Sequence, residues 1–127
     1  QMEIKSELKY TKDHEWIEID GKIATVGITD YAQGELGDIV YVEIETLDER
    51  LDKEEVFGSV EAVKTVSDLF LPVSGKIIEV NQKIEDSPEI INEDPYNDGW
   101  IIKMEIENEE ELNELLDAGA YSKLIGL

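Results

Sequence analysis

The chain contains no cysteine, which excludes disulfides, thiolate metal sites and cysteine nucleophiles. Histidine is reduced to one residue, His14. A multi-histidine metal centre is therefore excluded, and no GxSxG-type elbow accompanies His14 to make a hydrolytic triad. Cations are scarce: 11 Lys and Arg stand against 32 Asp and Glu, a net charge of −21. Phosphate binding needs clustered Lys and Arg, so this balance argues against nucleic acid and against anionic lipid. No apolar run approaches the ~20 residues that cross a bilayer, and no basic, apolar leader is present, so no membrane association is expected. What remains is 127 residues, 41% of them hydrophobic, enough for one domain spanning 1–127 with a single core. The acidic surface serves solubility, or steers basic partners over the ~8–10 Å that salt allows.

The apolar residues recur with a period of two along most of the chain. WIEIDGKIATVGI (16–28) reads as two strands joined at Asp20-Gly21, with Ile17 and Ile19 on one face and Ala24, Val26 and Ile28 on another. TDYAQGEL (29–36) reads as a short helix capped by Thr29 and stopped at Gly37. IVYVEIE (39–45) returns to alternation, with Val40, Val42 and Ile44 facing one way, and 45–55 is a charged connection. Val56 to Val63, Asp68 to Leu71, Lys76 to Val80 and Trp100 to Ile106 read as further short strands, which suggests a sandwich or barrel. From Asn108 the period changes: Leu112, Leu115 and Leu116 share a helical stripe, Asn108 and Glu111 form a capping box, and Gly119 ends the helix.

One lysine stands out. In GSVEAVKTVSDLFLPVSG (58–75), Lys64 separates two alternating runs. Val56, Gly58, Val60 and Ala62 would lie on one face of the first strand, opposite Phe57, Ser59, Glu61 and Val63. A hairpin with Lys64 at its turn is the economical reading. Three roles compete for such a residue. It is an ordinary surface lysine, a Schiff-base nucleophile, or a lysine presented for modification. A nucleophile needs its pKa depressed by burial or a nearby cation, whereas Glu61 and Asp68 would favour the charged ammonium. A rigid hairpin with a free tip suits a tethered prosthetic group.

Five blocks, in order, extend this pattern over roughly Leu8 to Tyr121: LKYTKDHEW (8–16), VGITDYAQGELGDIVYVE (26–43), GSVEAVKTVSD (58–68), LPVSGKIIEVN (71–81) and PEIINEDPYNDGWIIKM (88–104). Together they resemble the H proteins of the glycine cleavage system, a family of lipoyl carriers. The resemblance implies a mainly β fold, a barrel-sandwich hybrid of two small antiparallel sheets with peripheral and C-terminal helices. It implies lipoate in amide linkage on Lys64, Glu61 as a position read by lipoate-attaching enzymes, and Gly75 as the family glycine of the second strand's turn. Val63 and Thr65 flank the lysine where biotin carriers place methionines, which argues against biotin.

The resemblance further implies a non-catalytic carrier with three partner enzymes. The pyridoxal-phosphate glycine decarboxylase (P protein) loads an aminomethyl group, the aminomethyltransferase (T protein) removes it, and dihydrolipoyl dehydrogenase (L protein) reoxidises the dithiol. All redox chemistry would then sit in the cofactor, consistent with a chain without cysteine. Glu15 and Asp68 match positions that hold the amine of the loaded arm, Ile28 and Leu36 match apolar walls of its cleft, and His14 is assigned to structure. The alternative within the family is a lipoyl donor or relay for other lipoyl proteins. Outside it stand a purely acidic interaction protein and a Schiff-base enzyme. The expected compartment is the cytoplasm in a bacterium or the mitochondrial matrix in a eukaryote. Three features depart from the family pattern: Ala62-Val63-Lys64-Thr65 replaces Ser-Val-Lys-Ala, 45–55 lacks the usual Leu-Pro and glycines, and Glu35 stands where some relatives carry histidine.

Overall fold

The computed structural model describes residues 2–127. In chain order come β1 (Lys9–Tyr10), β2 (Glu15–Asp20), β3 (Ile23–Ile28), helix α1 (Asp30–Leu36) and β4 (Ile39–Glu43). Next are β5 (Arg50–Leu51), β6 (Val56–Ala62), β7 (Val66–Phe70) and β8 (Gly75–Val80). Helices α2 (Gln82–Asp86) and α3 (Ile90–Glu93), strand β9 (Ile102–Ile106), a 3-10 turn (Glu109–Glu114) and helix α4 (Ala118–Leu124) complete the chain. The strands form two antiparallel sheets, β1-β2-β3-β9-β8-β5 and β4-β6-β7. The fold is mainly β with helices at its margins, as the alternation required.

The larger apolar cluster lies between the sheets: Ile17, Val26 and Ile28 from β2–β3, Val60 and Leu69 from β6–β7, Ile77 and Met104 from β8–β9. A second cluster joins Leu8, Tyr10, Trp16, Tyr96 and Tyr121 and anchors the C-terminal helix against β1. Tyr10 and Tyr121 stack there with centroids 4.6 Å apart.

Local chemistry accounts for most elements. Thr29 caps α1 through a bond from the Ala32 N–H, and the helix ends at Gly37, whose φ of 80° suits a residue without Cβ. The β2–β3 turn falls on Gly21-Lys22, one residue later than expected, because Asp20 still pairs with Ile23. Gly21 has φ 63°, the left-handed first position of a II′-type turn.

Two bulges correct the facial pattern. A register shift between Ile39 and Tyr41 sends Ile39 and Val42 inward and leaves Val40 exposed. Another between Val56 and Gly58 brings Phe57 inward with Val60 and Ala62, while Val56 faces water. The connection 45–55 contains β5, tied to the larger sheet through Arg50, which donates to both Glu107 carboxylate oxygens at 2.8 and 2.6 Å. Without glycines, Asp48 and Glu54 adopt the left-handed backbone there, at φ 71° and 72°.

The C-terminal expectation is also corrected. Asp117 caps a new helix by accepting from the Ala120 N–H at 2.8 Å, so Gly119 sits inside α4 rather than ending its predecessor. Asn108 accepts from Glu110, and Glu111 reaches across to Ser74, accepting from its N–H at 2.7 Å and its hydroxyl at 3.1 Å. No capping box closes.

Gly75 is needed for packing rather than for turn geometry. A Cβ there would overlap the Glu105 carbonyl oxygen and lie 2.7 Å from Met104 Cε. Gly75→Ala is expected to destabilise the protein by about 1–3 kcal/mol, since backbone cannot yield as a side-chain tip does. Gly34, with open space at its Cβ and a position inside α1, should gain about 0.5–1 kcal/mol from the same change. Urea titrations of both variants check the contrast; equal shifts would refute it.

Candidate functional site

Strands β6 and β7 pair Ser59 with Asp68, Val60 with Ser67 and Glu61 with Val66, leaving Val63, Lys64 and Thr65 to close the hairpin. The Ala62 N–H donates to the Thr65 carbonyl at 2.8 Å, and the Val63 N–H donates to the Asp38 carbonyl at 3.2 Å. The second bond braces the tip against the α1–β4 connection. Lys64 is exposed, between Val63 at 71% and Val66 at 62% exposure. Among the described residues no carboxylate lies within ion-pair distance of its amine. The position lacks the burial a Schiff-base lysine requires. Glu61 is exposed on β6, in one cross-strand row with Tyr41 and Val66.

Below the tip, the start of β2, helix α1 and the β6–β7 hairpin enclose a cleft of about 260 Å³. Four residues scattered through the sequence meet around it: Glu15, Ile28, Leu36 and Asp68, with His14 and Glu35 on the same wall. A groove formed by residues 34–38, Val63 and Lys64 adjoins the cleft, with Glu35 and Leu36 bordering both.

Glu15 is the chemically unusual member. It is 2% exposed, with Thr11 Oγ1 donating to Oε1 at 2.8 Å and the Phe70 N–H donating to Oε2 at 3.0 Å. The segment TKDHE is folded for this: Thr11 Oγ1 also accepts from the Asp13 and Glu15 N–H groups at 3.2 Å, and His14 turns left-handed at φ 69°. Burial raises the Glu15 pKa to about 8 against the two hydrogen bonds that oppose it. At neutral pH the cleft therefore holds a largely protonated carboxyl.

Asp68 differs. It is exposed on β7, an edge strand, and borders both the cleft and an outer depression shared with Glu43 and Glu45. Ile28 belongs to the main core and Leu36 packs against it, so both serve packing as well as the wall. Sequence reasoning missed Thr11 as the partner of Glu15 and Tyr121 as the partner of His14, whose Nδ1 lies 2.9 Å from the Tyr121 hydroxyl. The Thr11–Glu15 spacing is a local signal that could have been read. Nothing local marks Tyr121.

Fold and site together define a protein that presents one lysine from a braced hairpin above a cleft with a buried carboxyl. The sequence profile of the glycine cleavage H-protein family matches residues 8–126. A glycine cleavage system H protein of Staphylococcus epidermidis is 56% identical over 125 residues, covering 98% of this chain and 99% of the relative. That of Staphylococcus saprophyticus is 54% identical over the same span and coverage. The crystal structure of a glycine cleavage system H protein from Mycobacterium marinum superposes with a TM-score of 0.86 at 39% identity, covering 98% of this chain and all of that one. The chain belongs to the glycine cleavage H-protein family.

Proposed function

We propose that this chain is the lipoyl carrier of a glycine cleavage system, with lipoate attached in amide linkage to Lys64. The observation that supports it best is an exposed lysine at a hairpin tip whose groove adjoins a cleft lined by a buried carboxyl. Lys64 and its groove fit the group: the amine is exposed, and Leu36 and Ile28 give the neighbouring cleft an apolar wall. Bound there, lipoate would supply a dithiolane whose S–S bond opens to take the aminomethyl group of decarboxylated glycine on one sulfur and a proton on the other, the dithiol remaining only after that group is transferred onward. The protein's part is to hold and shield.

Glu15 would take the cationic amine of the load in a dry site, where a charge-assisted hydrogen bond is strong. Because its carboxyl is protonated when the cleft is empty, seating the amine releases a proton, and retention should strengthen as pH rises toward about 8. Asp68 would assist from the rim. An exposed carboxylate contributes about 0.2–1 kcal/mol to such a pair, so Asp68→Ala should speed loss of the load only about 1.5- to 5-fold. A rate change of a hundredfold, measured by quenched release assays, would mean that Asp68 and not Glu15 dominates.

Glu61, exposed beside the lysine, would be read by the lipoate-attaching enzyme. The remaining partners would be the P, T and L proteins. Reconstituted glycine decarboxylation with those three enzymes tests the assignment: a lipoylated protein that supports no turnover sinks it and leaves the lipoyl-relay reading.

A further inference from the structure

The C-terminal helix contributes one side chain to the cleft's surroundings. The Tyr121 hydroxyl lies 2.7 Å from Thr29 Oγ1 and 2.9 Å from His14 Nδ1. Thr29 is fully buried, and its Oγ1 already accepts the capping bond from the Ala32 N–H at 3.1 Å.

The direction of the two bonds follows from counting protons. Among the described residues the Thr29 hydroxyl has one acceptor for its proton, the Tyr121 oxygen. Once Thr29 donates there, the Tyr121 proton can only go to His14 Nδ1. The reverse order would leave a buried hydroxyl proton without an acceptor, the costly case. His14 Nδ1 is thus the acceptor, and the imidazole carries its proton on Nε2. Burial lowers the His14 pKa, while Asp13 and Glu35 pull it the other way. The Tyr31 ring lies 4.9 Å from the imidazole, centroid to centroid. Nε2 has no protein partner, yet no described side-chain nitrogen or oxygen is both buried and unpaired. Nε2 is therefore accessible, and His14 lines the cleft.

We propose that Tyr121 is a positioning residue that fixes His14 as the neutral Nε2–H tautomer, and that His14 presents this N–H to the cleft's occupant beside Glu15. Resting on the carrier reading, that occupant bears an amine next to a sulfur. Glu15 takes the amine, and the imidazole N–H meets a lone pair of the sulfur. An imidazolium at the same place would instead repel the amine and compete for the carboxylate.

The first test uses the unmodified full-length protein and needs no partner enzyme. Long-range ¹⁵N correlation NMR should show His14 as the Nε2–H tautomer. In Tyr121→Phe, which keeps the ring stacked on Tyr10, His14 should become a tautomer mixture and titrate about one pH unit higher, having lost the bond that favours its neutral form. A wild-type Nδ1–H tautomer, or an unchanged spectrum in the variant, overturns the proposal.

The second test follows release of the load from the lipoylated protein. Tyr121→Phe and His14→Leu should release it at least about threefold faster. His14→Gln, which keeps a neutral N–H near Nε2 and bears the same left-handed backbone as the leucine variant, should not. Equal rates in all four proteins overturn the cleft role. A protein that accepts no lipoyl group fails the carrier reading alone, and the tautomer still decides the hydrogen-bond order.

Discussion

Lys64→Arg is expected to remove lipoyl attachment completely while leaving the fold unchanged. Attachment needs an amine that can be freed of its proton and acylated, and a guanidinium does not supply one. The side chain is exposed and has no ion-pair partner among the described residues, so its replacement breaks no ion pair. Surface changes of this kind stay within about 0.5 kcal/mol. Intact mass after incubation with a lipoate ligase, ATP and lipoate should show one lipoyl increment on the natural protein and none on the variant. An increment retained by the arginine protein would move the attachment to another lysine and detach the cleft from the carrier reading.

Glu15→Gln should change the pH dependence of stability more than any other single substitution. The Glu15 pKa stands near 4.5 in an unfolded chain and about 8 in the fold. Between those values the folded state binds a proton that the unfolded state does not, so stability falls as pH rises. The contribution is fully present below about 4.5 and is lost as pH passes 8. Glutamine keeps the size and removes the ionisation, but its single oxygen can accept from only one of the two donors, the Phe70 N–H or the Thr11 hydroxyl, at a fixed cost of about 1–3 kcal/mol. The variant should start below the natural protein near pH 4 by that fixed cost and gain about 5 kcal/mol on it by pH 9.5, so the two curves cross. Urea midpoints across this range provide the measurement, and parallel curves would show that Glu15 ionises as freely as a surface carboxylate. The same variant should lose the pH dependence of load retention.

The hairpin that carries Lys64 was legible because strand-like alternation flanks the tip on both sides, and nothing but a turn fits between. The helix at 30–36 was legible from its cap and its terminal glycine. The facial pattern of β4 and β6 was not. A bulge inserts one residue, and every side chain before it changes face with no local mark in the sequence. The C-terminal leucines misled for a different reason. Leu112 and Leu115 pack on the main core and Leu116 on the aromatic cluster, so one helical stripe was read into contacts with two separate bodies. Residues of the cleft could be named from resemblance, but not the state of Glu15. Its raised pKa arises from burial at a place where residues far apart in the chain meet, with Phe70 of β7 bonded to the start of β2, and no local pattern marks that meeting.

The two sheets become possible at different moments of the chain's history. The sheet that carries Lys64 draws all three strands from residues 39–70. The larger one has β9 (Ile102–Ile106) inserted between β3 and β8, and those two strands have no direct pairing. On a ribosome, then, β3 and β8 wait with unpaired inner edges until the last fifth of the chain emerges. Non-local pairings of this kind are slow to form. The lysine hairpin closes locally, and both groups that bond the buried carboxyl beneath it, Thr11 and the Phe70 N–H, also precede β9 in the chain, so the site's parts are made before the larger sheet can close.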